Sequence, residues 1–245
     1  MTQSSDQAGE GRPAGPVPGT TAVAGTGTAG GPGAGVPLSI WPGLPAPDNG
    51  RDGLACAGPV TTAAARRVID AFSRPGDLVA AAGGSLAVIE AAAAAGRPVL
   101  ALVPGPAPGR QRPGVPAALP PPGDPAAATA GLAVAGWCGP SCCGDAGQDT
   151  GPVLAACERA LRPGGVLAVI TAGTGATLTD SAGSTVAATR AAGFVYAQHI
   201  VLVRAAIDGD HLAPSAPDPG PAGPGGSPVH DALLVFIKPG GETRP

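Results

Sequence analysis

The stretch from Thr61 to Val103 constrains the fold more than any other part of the chain. Apolar residues first recur there at helical spacing, and an Arg-Pro-Gly sequence ends the helix that they predict. A short apolar strand, a glycine turn, an alanine-rich helix and a second apolar strand follow, at residues 78–81, 83–85, 86–95 and 99–103. This order predicts a βαβ unit with two parallel strands. Ligands of such sheets lie at the carboxyl ends of the strands, so function is expected first at residues 81–85 and 103–105.

Composition separates a core-forming part of the chain from a tail. Glycine and proline, 41 and 31 of 245 residues, exceed the level at which disordered segments become common. Residues 1–36 contain almost no large apolar side chain, so we predict a disordered Gly/Pro-rich tail there. The domain is expected to span residues 37–240, with the apolar cluster at 37–41 docking its start and a short tail at 241–245.

The remaining segments predict an α/β fold with one mostly parallel sheet. Residues 104–125 contain nine prolines, which forbid a regular helix or a central strand in this insert. Apolar strands at 131–135 and 166–171 are expected to lie parallel to the first two. Strands at 194–207 and 229–238 are expected to form an antiparallel pair at one edge of the same sheet.

Charge and hydropathy restrict the partners of the chain. Fourteen basic and seventeen acidic residues give a net charge of −3, and Lys238 is the only lysine. Binding to a phosphate backbone needs a basic face, so we expect duplex affinity to be weak and salt-sensitive. Neither a signal peptide nor a membrane span is indicated, which predicts a cytoplasmic protein whose five cysteines are free thiols.

No metal site is predicted from the cysteines and histidines. Cys138, Cys142 and Cys143 lie close together, but a structural zinc site needs four ligands, usually in paired sets. Free thiols are the favoured interpretation, and a zinc site completed by Cys56 or Cys157 is the alternative. Three histidines lack a matching carboxylate pair and are interpreted as structural or surface residues: His199, His211 and His230.

Taken in order, these segments resemble a class I S-adenosylmethionine-dependent methyltransferase, and more closely the DNA amino-methyltransferase-type proteins of high-GC bacteria. The resemblance lies in the blocks PLSIW at 37–41, SRPGDLV at 73–79, LAACERALRPGGVLAVIT at 154–171, AATRAAGFVYAQHIVLVRAAIDGDHL at 187–212 and VHDALLVFIKP at 229–239. It implies a Rossmann-like methyltransferase sheet, S-adenosylmethionine as cofactor, and a nucleic-acid partner whose base is flipped out for reaction.

The same resemblance assigns candidate site residues and shows which groups are missing. The cofactor positions are Gly83, Gly84 and Ser85 after the first strand and Val103 after the second, where the family has acidic side chains. The acceptor positions after the fourth strand are Gly136, Trp137 and Cys138. None of these residues is a plausible acceptor for an amine, so no catalytic residue is assigned.

Three hypotheses about function follow. The favoured one is a non-catalytic relative that keeps the fold as a binding or regulatory module and binds S-adenosylmethionine weakly or not at all. In that case Trp137 is a buried structural residue, since tryptophan is highly buried on average. The alternatives are an active methyltransferase on a nucleobase or other acceptor, in which Trp137 stacks on a base, and a different Rossmann-like nucleotide-binding regulatory protein.

Overall fold

A computed structural model describes residues 35–42, 60–83, 85–102, 128–138, 150–172, 176–204, 206–208, 211–213 and 230–240. These residues form, in chain order, β1 (Leu38–Trp41), α1 (Thr62–Phe72), β2 (Leu78–Ala82), α2 (Leu86–Ala94), β3 (Val99–Leu102), β4 (Ala130–Cys138), α3 (Thr150–Ala160), β5 (Leu161–Ala172), α4 (Ala176–Ala191), β6 (Val195–Val203), β7 (Ala206–Asp208), β8 (His211–Ala213) and β9 (His230–Ile237). Most of the predicted tail, the proline-rich insert, Gly84 and Val103 lie outside the described residues.

A seven-stranded sheet organises the chain, in the order β1-β6-β9-β5-β4-β2-β3. Within it β9 runs antiparallel to both of its neighbours, β5 and β6, and the other pairs are parallel. The predicted fold class, a mostly parallel α/β sheet with an antiparallel C-terminal strand pair, is confirmed. The remaining two strands, β7 and β8, form a separate antiparallel hairpin.

Two details of the predicted strands differ from the structure. The antiparallel pair is not the edge of the sheet, because β1 pairs with β6 on its outer side. The single strand expected over 194–207 is divided, since β6 ends at Val203 and residues 206–208 belong to the hairpin. The first difference arises from a pairing with a distant part of the chain, which local apolar patterns do not report, and the second from the short hairpin that β7 forms with β8.

Alternation along the strands sends side chains into a separate core on each face of the sheet. On β2, Val79 and Ala81 join a core with α1 and α2, whereas Ala80 and Ala82 join a core with α3 and α4. Helices on both faces of a mostly parallel sheet define a doubly wound α/β architecture. In the described part of the chain, no helix has the length and apolarity needed to cross a membrane.

The first helix forms where its apolar spacing predicts it. The Thr61 hydroxyl accepts a hydrogen bond from the Ala64 amide at 3.1 Å and so caps the amino end of α1. Val68 and Ile69 are fully buried on the helix face that meets the sheet. Phe72 completes this stripe and stacks on Trp41 of β1, with ring centroids 6.0 Å apart. The amphipathic spacing of α1 therefore also positions the outermost strand.

Candidate functional site

The sheet reverses its winding direction between β2 and β4. From β2 the chain proceeds to β3 on one side, whereas β4 pairs with β2 on the other side. In open α/β sheets, ligands bind in the crevice at the carboxyl ends of the strands that flank such a reversal. The candidate site is therefore the edge where β2 and β4 end.

This edge brings together candidate residues from two sequence segments. The parallel register pairs Ala81 with Val134, so Gly83, which directly follows β2, and Gly136, near the end of β4, both lie at this edge. Ser85 follows as the residue that precedes α2, and Trp137 and Cys138 close β4. The structure thus places five of the seven predicted site residues at one edge of the sheet, and the other two lie outside the described residues.

Gly83 leaves the backbone at the end of β2 free of side-chain atoms. Its φ of +70° is a conformation that side chains rarely adopt, and a Cβ added there would have no heavy atom within 4 Å. The Gly83 amide donates to the Leu102 carbonyl at 2.8 Å, which joins the ends of β2 and β3. The Ser85 side chain makes no capping hydrogen bond to α2. A ligand can therefore approach the backbone closely here.

The described strand ends of β2 and β3 carry no charged side chain. Ala81 and Ala82 end β2, and Ala101 and Leu102 end β3, and all four are buried. Gly83 and Ser85, which follow β2, add one hydroxyl group and no carboxylate. Close backbone approach is therefore available at this edge, whereas a charged acceptor for ligand hydroxyls is not supplied by these residues.

Trp137 is enclosed in the core on the α3–α4 face. Only 5% of the residue is exposed, and Leu154 and Phe194 belong to the same buried cluster. A ring in this position packs against aliphatic and aromatic side chains. The backbone of Trp137 therefore lies near the carboxyl end of β4, whereas its ring is buried in the core.

A buried ion pair at the same edge has no counterpart among the residues predicted from the sequence. Asp231, near the start of β9, is 3% exposed, and its Oδ2 accepts from the Arg204 Nε at 2.5 Å and from Nη2. The other oxygen, Oδ1, is buried and has no hydrogen-bond partner among the described residues. Burial raises the pKa of the Asp231 carboxyl, and the charge and hydrogen bonds of Arg204 offset part of this rise.

One signal in the sequence points to this pair. Asp231 is the only charged residue within β9, whose other positions from Ala232 to Ile237 are apolar. A carboxylate in a strand with both faces buried requires a partner. The partner, Arg204, is 27 positions away in sequence, so only the pairing of β6 with β9 identifies it.

The cysteines and histidines form no metal centre in the described residues, which contain no group of three or more His, Cys, Asp or Glu side chains that could hold an ion. Burial raises the pKa of the Cys157 thiol to about 12. Burial, and secondarily the charge of His230, lowers the pKa of His199. Cys56, Cys142 and Cys143 lie outside the described residues, so the alternative zinc site stays a prediction.

No protein-family model matches the sequence, and no curated protein matches it. Similar solved structures include a TehB-like SAM-dependent methyltransferase of Corynebacterium glutamicum, with 17% identity over 73% of this chain and 88% of that chain and a TM-score of 0.42. Another is a precorrin-6y C5,15-methyltransferase of Geobacter metallireducens, with 12% identity, coverages of 71% and 88%, and a TM-score of 0.41. A third is a SAM-dependent methyltransferase of Thermotoga maritima, with 13% identity, coverages of 72% and 88%, and a TM-score of 0.35. All three are methyltransferases.

Proposed function

We propose that this protein is a methyltransferase-like binding protein that retains the sheet and has lost methyl transfer. The observation that carries the proposal is the chemistry of the described ends of β2 and β3, whose residues are alanine and leucine. The sequence blocks that resemble DNA amino-methyltransferases lie in order along this sheet, so the fold is kept while the charged cofactor contacts are missing.

The missing acceptors set the expected affinity for S-adenosylmethionine. A hydrogen bond from a ribose hydroxyl to a charged acceptor contributes about 1.5–3 kcal/mol. Since about 1.4 kcal/mol is a tenfold change in affinity, losing two such bonds weakens binding by about two orders of magnitude or more. The protein is therefore expected to bind the cofactor weakly or not at all.

The buried position of Trp137 supports the loss of reaction on a nucleobase. A base held for methyl transfer is extruded into a pocket and stacked on an aromatic side chain. With 5% exposure, the Trp137 ring contacts the protein core instead. The substrate role that the resemblance assigns to this residue would need the ring to leave its packed position.

An active methyltransferase is the second candidate, and one observation favours it. Gly83 retains the positive φ and the free space that allow a cofactor to approach the backbone at the end of β2. Under this alternative the acceptor for the cofactor's hydroxyls would come from residues outside those described. The two candidates differ in a measurable way, because only the enzyme needs tight cofactor binding.

Thermal denaturation with S-adenosylmethionine and S-adenosylhomocysteine tests the proposal. A ligand that binds the native state stabilises it by RT ln(1 + [L]/Kd), so with millimolar affinity we expect a shift in Tm below about 2 °C at about 1 mM ligand. Incubation with radiolabelled S-adenosylmethionine and duplex DNA is expected to transfer no label.

Two glycine variants show whether any shift comes from the candidate site. Gly83 and Gly76 have similar φ values of +70° and +85°, and neither has an atom within 4 Å of an added Cβ. Gly76 lies in the turn before β2, at the opposite edge of the sheet. A clear Tm shift at micromolar ligand that Gly83→Val abolishes and Gly76→Val preserves would favour the active enzyme.

A further inference from the structure

Strand β1 forms one edge of the seven-stranded sheet, and its exposed side chains are apolar. Leu38 is 45% exposed and Ile40 is 39% exposed, whereas Ser39 and Trp41 are buried. Natural edge strands usually carry a charge, a proline or a bulge that prevents pairing with another chain. Strand β1 contains no charged residue and no proline, and its register with β6 is continuous. This edge therefore lacks the usual protection against strand addition.

The strand at the opposite edge of the sheet, β3, differs from β1. Ala101 and Leu102 are buried, and Val99 and Leu100 are half-buried and pack against the two cores. An exposed apolar surface is therefore a property of β1 and not of both edges of this sheet.

The backbone groups of Leu38 and Ile40 point away from β6. The His199 amide donates to the Pro37 carbonyl at 3.0 Å, and the parallel register pairs His199 with Leu38. In a parallel ladder a residue bonds to the two neighbours of its partner, so alternate residues of β1, beginning with Pro37, face β6. The outward N–H and C=O groups of Leu38 and Ile40 have no hydrogen-bond partner among the described residues. They are available to a further strand.

This edge is complementary to a second copy of itself. In an antiparallel pair, two opposed residues can exchange both of their N–H···O bonds. When two copies of β1 meet about a two-fold axis at Ser39, Leu38 of each copy lies opposite Ile40 of the other, and both pairs form these bonds. The axis is perpendicular to the sheet, so the exposed side chains of both copies lie on one face and cover one another. Cross-strand apolar pairs of this kind stabilise a sheet.

Charge also favours a second copy as the occupant. A two-fold contact places each group near its own copy, so a charged strand would meet a like charge. The neighbours of β1 on this face are His199, which pairs with Leu38, and Val201, which pairs with Ile40. Burial lowers the pKa of His199, so its imidazole is mainly neutral at pH 7. The contact surface is therefore apolar and free of like-charge repulsion.

The chain segment that precedes β1 is a poorer occupant by composition. Residues 1–34 contain no leucine, isoleucine or aromatic residue, and glycine and proline are frequent among them. Glycine and proline are depleted in strands, and small side chains would bury little of Leu38 and Ile40. A second copy supplies the matching apolar side chains.

We propose that β1 is a dimerisation edge, at which two copies of this chain pair antiparallel and join their seven-stranded sheets into one. A strand of four residues from each copy is much smaller than a standard interface of about 20–30 residues a side, so we expect a reversible dimer with a Kd of about 10–100 µM. Strand β1 lies four strands from β4, so this surface is separate from the candidate site.

Sedimentation velocity of the full chain tests the proposal. Between about 5 µM and about 0.5 mM protein, the mass is expected to rise from 23.1 kDa toward twice that value. A monomer throughout this range, or assembly beyond the dimer, would overturn the two-fold pairing of β1.

Two lysine variants locate the contact. A lysine on an edge strand opposes strand addition, so Ile40→Lys is expected to raise the Kd of the dimer about tenfold or more. Val195→Lys is the matched control, because Val195 is 55% exposed on β6 but precedes the residues that pair with β1. We expect this control to dimerise as the wild type does. Equal dimerisation of the two variants would contradict the assignment of the interface to β1.

A proline variant separates strand pairing from simple apolar contact. Leu38→Pro removes an N–H that points away from β6, and proline is tolerated as the first residue of a strand. The intramolecular ladder is therefore kept, and the dimer is expected to weaken. An unchanged Kd would show that the two copies do not pair through their backbones.

Amide hydrogen exchange of the wild type covers the case in which a variant does not fold. Raising the concentration from about 5 µM to about 0.5 mM is expected to slow exchange of the Leu38 and Ile40 amides about fivefold. The Ser39 amide faces β6, so it is expected to exchange slowly at both concentrations. Exchange of Leu38 and Ile40 that does not depend on concentration would refute the proposal, and slow exchange in a monomer would show that a segment of the same chain covers β1 instead.

Discussion

Asp77 fixes the turn that leads into β2, and its carboxyl group packs closely against Gly131 of β4. Its Oδ2 accepts from the Arg74 amide at 2.8 Å, and its Oδ1 meets Arg162 at 3.2 Å. A Cβ added to Gly131 would lie 2.9 Å from the Asp77 Cγ. Because a carboxyl carbon in the middle of two polar contacts cannot move away freely, Gly131 is required for the close approach of β4 to this turn.

The change Gly131→Ala is therefore expected to lower the free energy of unfolding by about 1–3 kcal/mol, as overpacking does in a closely packed site. Urea denaturation followed by circular dichroism measures the loss. Gly183→Ala in α4 is the control, since no atom lies within 4 Å of an added Cβ there and alanine favours helix. Equal stabilities of the two variants would show that Asp77 does not press on Gly131.

His199 gives the stability of the folded protein a dependence on pH. Its pKa is lowered in the folded state, first by burial and then by the charge of His230. A lowered pKa stabilises the fold above the unfolded value of about 6.5, and this contribution is lost as the pH falls through the folded value. We expect the free energy of unfolding to fall between about pH 7.5 and pH 5, and to fall less in His199→Gln. A pH profile unchanged by that substitution would contradict this assignment.

At the scale of elements, β1 is held to the sheet by contacts from both sides. Its register with β6 pairs Leu38 with His199, and the Ser39 hydroxyl accepts from the Gln198 amide at 2.8 Å. On the α1 side, the Arg67 guanidinium lies 4.9 Å from the centre of the Trp41 ring and donates to the Pro42 carbonyl at 3.0 Å. The four-residue strand β1 is thus held by β6 on one side and, through the Trp41 ring, by α1 on the other.

Neighbouring residues of β1 should differ sharply in their contributions to stability. Trp41 is 4% exposed, whereas Ile40, on the opposite face, is 39% exposed. Truncating a buried tryptophan to alanine costs about 3–5 kcal/mol, and Ile40→Ala is expected to cost less than about 1 kcal/mol. Denaturant midpoints of the two variants provide the comparison, and similar losses would show that β1 does not depend on its inward face.

The elements differ in how much their sequences reveal. Helix α1 and strands β2 to β5 follow from apolar spacing and Arg-Pro-Gly turns, because the contacts that define them are local or lie in adjacent units. The apolar cluster at 37–41 predicts a docking segment, but the pairing of β1 with β6 depends on residues about 160 positions away. The Arg204–Asp231 pair could not be predicted either, because its partners are 27 positions apart. The glycines and alanines at the ends of β2 and β4 could be identified from the sequence alone.

At the scale of the whole molecule, charge argues against nucleic acid as the principal partner. The net charge is −3, and Arg162 and Arg204, among the described arginines, are each paired with a carboxylate. Because acidic residues outnumber basic ones, counterion release is expected to contribute little to binding. We predict duplex DNA affinity of about 10⁻⁵ M or weaker, falling steeply with salt.

Fluorescence anisotropy with a labelled duplex at about 50 and 200 mM salt measures this affinity. Competition with an excess of unlabelled duplex of unrelated sequence separates specific from nonspecific binding. Tight, sequence-dependent binding at the higher salt concentration would contradict the prediction and would support the nucleobase methyltransferase instead.

Strand β9 has a consequence for the order in which the protein can be made. It is the only strand of the sheet that pairs with both β5 and β6, so it alone joins the β1–β6 ribbon to the other four strands. Ribosomes add about 5–20 residues per second and release the amino-terminal part first. Since β9 spans residues 230–237, β1 leaves the ribosome long before the strand that ties it to the rest of the sheet exists. The seven-stranded sheet can therefore be completed only after β9 has been synthesised, although the other six strands precede it in the chain.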